Sequence, residues 1–385
     1  MHKVRLAASP FWYFHFILLL LLATAFAEAR QFTSELNQIR SRHDLPALGC
    51  AVLFQGRLVA VETTGYRKYG SEVRVTPNDN FHLGSCTKAM TATMLAVLIE
   101  QGKIDPNMTV ARALPELTDS IQPDYRVLTL EHLLSHHTGL PEKSWPPGKT
   151  FHDMHSLEGD PRQQRRSYVE LILQQEPLAA PGTRFIYANA NYSVASAIAE
   201  RVTDTPWEEL MGEYLFNPLR MTTAGFGAMG SRGTVEQPWQ HAVRSGERVP
   251  IPPAPRADNP PVIGPGGTVH CSLADWAKFI QAHLDGIRGR NNLLSQKMFE
   301  MLHTPRYGSD YAWGWRVVSR KWGGGKVLTH AGSNNQNYAV AWVAPLKNFA
   351  VLVATNQGGD AAAKACDEVA SAVIQKTNGL NSPGN

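Results

Sequence analysis

Apolar residues run along this chain in blocks of two kinds. In ALGCAVLFQGRLVAVETTGY, residues 47–66, they crowd into two short runs on either side of Gln55-Gly56. That pattern predicts two strands joined by a tight turn. Just before it, Leu36 and Ile39 sit three apart and predict a short helix over 33–43 with both inward. Just after it comes SCTKAMTATMLAVLIEQGK, where Met90, Met94, Val97 and Leu98 recur at helical spacing. This predicts a helix of about five turns, ended by Gly102.

From about 105 to 250 the pattern is mostly helical, broken by loops. TLEHLLSHH, RSYVELILQQ and NYSVASAIAERVT are the clearest helices. PEKSWPPGKTFHDMHSLEGDP and VPIPPAPRADNPPVIGPGG read as loops from their Pro, Gly and polar content. The C-terminal part changes character. SLADWAKFIQAHL predicts a helix with Ser272 as N-cap and Asp275 three residues on. KVLTHAG, NYAVAWVAP and NFAVLVATN predict three short strands, and Asp360 to Lys376 an Ala-rich helix. Strands therefore occur at both ends of the chain and helices dominate between. The economical fold is of the α/β (α+β) class: one antiparallel sheet built from both termini, flanked by helices, with a mostly helical region inserted. The expected boundaries are 28–85 and 268–380 for the sheet region and 86–267 for the helical region, together one catalytic unit.

Composition narrows the classes. A hydrophobic content of 43% over 385 residues is enough for a sizeable core and excludes a disordered chain. The net charge of +4 comes without a Lys/Arg block, so no nucleic-acid partner is expected. At the N-terminus, Lys3 and Arg5 precede a nearly unbroken apolar run from Phe11 to Phe26, followed by Ala25-Phe26-Ala27. This reads as a signal peptide over 1–27, with export to the periplasm or the exterior. The alternative is an uncleaved membrane anchor. No later run is long and apolar enough to span a bilayer, so the mature chain should carry no stable membrane span. Cys50, Cys86, Cys271 and Cys366 are scattered without C-x-x-C, and Cys86 reads as a small buried residue.

Chemistry enters with FHLGSCTKAM, residues 81–90. Ser85 and Lys88 are three apart, so one helix turn puts both side chains on one face. A serine hydroxyl needs a neighbour to take its proton, and a lysine can do so if burial keeps it neutral. The helix N-terminus adds free backbone N–H groups for an oxyanion. S-x-x-K alone is weak, because about one match is expected by chance in a chain this long. The bland reading is a capping serine and a solvated lysine. Two more pieces accompany it. Tyr187-Ala188-Asn189 lies just before a helix, and His330-Ala331-Gly332 ends a C-terminal strand, where glycine permits close backbone approach.

Ser85-Cys86-Thr87-Lys88, Tyr187-Ala188-Asn189 and His330-Ala331-Gly332 in this order resemble the class C β-lactamase and penicillin-binding-protein-like serine hydrolases. That family also holds DD-peptidases, D-aminopeptidases and family VIII esterases. LTLEHLLSHHTGLP, PGTRFIYANANY, GPGGTVHCSLADWAKF and LTHAGSNNQNYAVAWVAP match too, so the resemblance covers about 33–376. It implies that Ser85 is acylated, Lys88 takes its proton and Tyr187 shares in proton transfer. It implies that Asn189 holds a substrate oxygen, that His330, Ala331, Gly332 and Ser333 line the substrate, and that the Ser85 and Ser333 N–H groups form the oxyanion hole. No cofactor or metal is expected, and the partner is a small-molecule or peptide substrate. One departure stands out. Penicillin-recognising members usually have lysine where this chain has His330, which puts strong β-lactamase activity in doubt and gives weight to esterase or peptidase action.

Two other readings compete. His132, His136, His137, His152 and His155 invite a zinc site, but no H-E-x-x-H occurs. A non-enzyme reading is a ligand-binding or sensor protein that forms an acyl-enzyme and turns it over slowly.

Overall fold

The computed structural model describes residues 32–380 apart from Ser144. The signal-peptide reading over 1–27 falls outside the described residues. Helix α1 covers residues 32–42. Strands β1 (Ala47–Phe54) and β2 (Arg57–Gly65) follow as a hairpin. Gln55 (φ 49°) and Gly56 (φ 74°) both take the left-handed conformation that a two-residue hairpin turn matched to strand twist requires. After β3 (Asn80–His82) comes α2 (Thr87–Glu100). The middle of the chain supplies α3 (Leu130–Leu134), α4 (Pro161–Leu173) and α5 (Asn189–Thr203). It also supplies β4 (Gly225–Phe226), the hairpin β5 (Gln240–Arg244) and β6 (Glu247–Ile251), and the helical turn α6 (Gly264–Gly267). The C-terminal part holds β7 (Val269–Ser272), α7 (Leu273–Gly286), β8 (Arg316–Arg320), β9 (Gly325–Ser333), β10 (Tyr338–Ala344), β11 (Phe349–Thr355) and α8 (Asp360–Leu380).

Among these residues six strands form one antiparallel sheet in the order β2-β1-β11-β10-β9-β8. The N-terminal hairpin thus joins the C-terminal strands directly, with Gly49 opposite Ala354 and Phe54 opposite Phe349. The central strands are apolar on both faces because both faces are covered. In β11, Phe349, Val351 and Val353 face a cluster with Leu36 and Ile39 of α1 and Ala365, Val369 and Val373 of α8. Ala350, Leu352 and Ala354 face the other way, into the large core with α2 and α7. Period-two alternation is kept in space but hidden in composition.

Helix α2 is enclosed between the sheet and the inserted region, and every residue from Thr87 to Leu98 is buried. It is shorter than the expected five turns, since a single turn of 3-10 helix, Gly84–Cys86, precedes it. The inserted region is less purely helical than the pattern suggested. The hairpin β5–β6 lies inside it, and β3, β7 and β4 form a small separate sheet. These strands are two to five residues long, too short to declare a period of two.

Within the insertion a buried ion cluster ties α4 and α5 to the loop before α6. Arg165 of α4 donates to both carboxylate oxygens of Glu200 of α5, to Glu208 at 2.9 Å and to the carbonyl of Pro261 at 2.8 Å. Its side chain is fully buried. Arg165→Met leaves Glu200 buried without its cation and should cost about 3–5 kcal/mol, read as a lowered urea midpoint. Adding Glu200→Leu should recover much of that loss.

Candidate active site

The site is assembled where three backbone segments meet at the N-terminus of α2. Gly84 sits at φ 49°, a left-handed conformation that turns the chain from β3 into the 3-10 turn. Ser85 follows, half-buried, while Lys88 one turn on is fully buried. No side chain caps α2, so the Ser85 hydroxyl is not spent as a helix cap. The bland reading of a capping serine and a solvated lysine therefore does not describe this pair.

Lys88 Nζ has three neighbours. It donates to Asn189 Oδ1 and to the Gly266 carbonyl, each at 2.7 Å, and lies 3.1 Å from Ser85 Oγ. Among the described residues no carboxylate hydrogen-bonds or pairs with it. Burial without a counter-ion disfavours the ammonium and pulls its pKa down to about 7. A neutral amine has two N–H groups and one lone pair. The two short contacts are to oxygens that only accept, so they use both N–H groups and leave the lone pair for the Ser85 hydroxyl.

The second segment runs from Gly182 into α5. His136, itself at φ 62°, accepts with Nδ1 from the Ala188 N–H at 3.3 Å and from Asn191 at 2.9 Å. The Ile186 N–H donates to the His136 carbonyl at 2.9 Å. These bonds fix Tyr187 and Asn189 on either side of Ala188. The Tyr187 ring packs on His136 with centroids 4.4 Å apart, and Lys88 Nζ stands 4.7 Å from its centre. Burial pushes the Tyr187 phenol pKa up, opposed by a hydrogen bond with Ser85, so the phenol is neutral at neutral pH.

The third segment is the end of β9. Strand β8 begins at Arg316, opposite Thr329, so among the described residues His330 to Ser333 pair only with β10. A Cβ on Gly332 would fall 2.0 Å from the Leu83 carbonyl and 2.6 Å from the Ser85 nitrogen. A Cβ on Gly84 would fall 2.3 Å from the Ser333 nitrogen. Glycine at both positions is what lets the two backbones touch.

His330 is brought near this group, its ring centroid 6.3 Å from that of Tyr187, and both its ring nitrogens have partners of their own. Nδ1 donates to the Ala331 carbonyl at 2.7 Å, which leaves Nε2 to accept from the Tyr311 hydroxyl at 2.8 Å. Burial, with Lys88 close by, lowers its pKa to about 3. It contributes no positive charge at neutral pH. Sequence reasoning missed Tyr311 and the Gly266 carbonyl. It also missed His82 and Asp258, which lie beneath the site with Nε2 donating to Oδ2 at 2.7 Å. Four of the five histidines raised as zinc ligands have separate partners: Thr129 for His132, Asn191 for His136, Ser135 for His137 and the Asp258 carbonyl for His155. Cys86 is buried, with its thiol 3.3 Å from the His330 carbonyl.

The family model described as Beta-lactamase matches residues 26–374. Putative penicillin-binding protein PbpX of Bacillus subtilis is 29% identical over 270 residues, covering 69% of this chain and 61% of that protein. Unguisins hydrolase ungD' of Aspergillus campestris is 25% identical over 343 residues, covering 85% of this chain and 61% of that protein. The chain thus matches under two thirds of the length of these two relatives. The octameric penicillin-binding protein homologue from Pyrococcus abyssi superposes with a TM-score of 0.74 at 21% identity, covering 91% of this chain and 77% of that chain.

The His330 geometry is checked by a histidine NMR titration. One imidazole, absent from His330→Gln, should stay neutral from about pH 8 to about pH 5. An ordinary inflection near pH ~6.5 for that resonance would contradict the hydrogen bonding described.

Proposed function

The chain belongs to the beta-lactamase family, and from that premise we propose that it is an exported hydrolase acylated on Ser85, acting on esters or amides that carry no carboxylate beside the scissile bond. The observation that carries the first part is the uncompensated burial of Lys88 between two amide oxygens and Ser85. The neutral His330 carries the second.

In the proposed reaction Ser85 Oγ bonds the substrate carbonyl carbon as its proton passes to Lys88 Nζ. The carbonyl electron pair moves to oxygen, which the backbone N–H groups of Ser85 and Ser333 stabilise. Asn189 holds a substrate amide or carbonyl. The tetrahedral intermediate expels the alkoxide or amine, which takes the proton from Lys88 through the neutral Tyr187 phenol. Water then attacks the acyl-enzyme by the reverse route and frees the acid. Amide cleavage draws support from the relative named a hydrolase of unguisins, and export from the basic and apolar N-terminal sequence.

The charge argument separates substrates. A lysine at the first position of the third motif is a cation suited to a β-lactam carboxylate. His330, held neutral by burial, offers no such attraction. The buried Lys88 spends its donors on the protein itself.

Three outcomes test this reading. Ser85→Ala should lower kcat on p-nitrophenyl acetate by about 10⁶-fold, and Lys88→Ala nearly as far, because nucleophile and base act as a unit. The neutral lysine is the active form, so kcat/KM should rise with pH, turn over about pH 7 and then plateau; a profile flat through that range would exclude Lys88 as the base. Finally, intact mass after brief exposure to benzylpenicillin should show little adduct, and the drug should be hydrolysed far more slowly than the neutral ester. A persistent Ser85 adduct would favour a slow-turnover penicillin-binding role instead.

A further inference from the structure

A carboxylate lies beneath the site, attached to both halves of it. Asp258 is buried and, among the described residues, faces no Lys or Arg within ion-pair distance. Its Oδ2 accepts from His82 Nε2 at 2.7 Å, and its Oδ1 accepts from Asn334 Nδ2 at 2.7 Å. His82 Nδ1 in turn accepts the backbone N–H of Gly84 at 3.1 Å. With a lone pair on Nδ1 and a proton on Nε2, the imidazole is the neutral Nε2–H tautomer. His82 therefore cannot serve as a base for Ser85, although Ser85, His82 and Asp258 together look like a hydrolytic triad.

The network goes on from Asn334. Its Nδ2 also donates to Gln240 Oε1 at 2.6 Å, and its Oδ1 accepts from the Gln336 N–H at 3.1 Å. Gln240 holds the chain beside Asp258 by donating to the Ala257 carbonyl at 2.7 Å. The carboxylate thus reaches Gly84, the residue before Ser85, through one histidine. It reaches Asn334, the residue after Ser333, directly.

We propose that His82 and Asp258 are positioning residues that clamp the Gly84-Ser85 and Ser333-Asn334 segments in register, and so set the spacing of the two N–H groups that stabilise the oxyanion. The catalytic part of this rests on the reading of Ser85 and Ser333 given above. The clamp itself rests only on the hydrogen bonds. The physical reason to place it here is that glycine at 84 and 332 lets the two backbones touch but brings no side chain of its own to hold the contact. Two backbones that touch without side chains need some other restraint, and an oxyanion hole tolerates little misplacement.

Asp258→Asn is the incisive variant. An amide presents one oxygen and one NH2 where the carboxylate presents two acceptors. Whichever way it sits, one NH2 faces either His82 Nε2–H or Asn334 Nδ2–H. If His82 changes tautomer to relieve the first conflict, its Nδ1–H then opposes the Gly84 N–H. Asn334→Ala is the second variant, which leaves the His82–Asp258 bond in place and removes the Asn334 side chain's bonds to Asp258, Gln240, Gln336 and Asn337.

Two measurements decide. Hydrogen–deuterium exchange by mass spectrometry should speed up in peptides spanning residues 82–86 and 331–337 of both variants, with residues 360–376 unchanged. Unchanged exchange in either segment overturns the clamp, and this readout needs no turnover. On Ser85-dependent ester hydrolysis, kcat should fall about 10- to 100-fold with KM within about twofold. The preference for a p-nitrophenyl ester over its thionoester should shrink, because sulfur is a poor acceptor and the preference reports the oxyanion donors. A fall in kcat with that preference intact overturns the catalytic part. If wild-type turnover does not depend on Ser85, the functional reading fails, while the exchange result still judges the clamp. If Asp258→Asn does not fold, Asn334→Ala carries both measurements.

Discussion

The site depends on one lysine being kept out of water. An isolated ammonium in a protein interior is costly, and the usual remedies are a paired carboxylate or loss of the proton. Among the described residues Lys88 has no such carboxylate, only the Gly266 carbonyl, Asn189 Oδ1 and the Ser85 hydroxyl. This explains why α2 departs from an amphipathic surface helix. To dry Lys88, the helix must be covered on every side, by the sheet on one and by the inserted region on the other. The insertion is therefore part of the site's electrostatics. It also brings Asn189 and Gly266 as the two acceptors, from α5 and α6.

A second constraint joins the two ends of the chain. Gly332 and Ser333 end β9 of the six-stranded sheet, which is closed by β1 pairing with β11, while Ser85 follows β3 of the small separate sheet and packs against the end of β9. A shift of one residue in that pairing would turn each apolar set of β1 to the opposite face. The two-sided core thus sets sheet register, and register sets where Gly332 meets Leu83 and Ser85.

Much of this was legible because it is local or repeated. The hairpin turn announced itself through Gln55-Gly56, and the central strands through uninterrupted apolar runs. Ser85 and Lys88 share a helix turn, so spacing alone brought them together. The three motifs were legible only through resemblance, since nothing in residues 187–189 or 330–333 says that they meet Ser85. The hairpin β5–β6 was missed because GERVPIP reads as turn and proline rather than as alternation. Tyr311, His82, Asp258 and Asn334 were missed for another reason. Their partners lie far along the chain, as His82 and Asp258 do, and each is an ordinary loop or strand residue until the fold is known. His330 was seen as a neutral departure from lysine, but its fixation by Tyr311 was not visible.

The opposing environments of Lys88 and Tyr187 bear on which of them would take the Ser85 proton in the proposed reaction. Burial acts on both, but with opposite sign, because it disfavours a charged amine and a charged phenolate alike. It therefore brings the lysine down to about 7 and drives the phenol up. Near neutral pH a large fraction of Lys88 carries a free lone pair, while almost no Tyr187 is ionised. A mechanism starting from phenolate would have to form a second buried charge beside the same dry cleft. A mechanism starting from neutral lysine begins with no buried charge, and creates the ammonium only as the oxyanion appears. Attraction between the two developing charges then falls in the transition state, where it lowers the barrier, and not in the resting site. In the proposed reaction, desolvation of Lys88 and preorganisation of the oxyanion donors are thus two halves of one electrostatic arrangement.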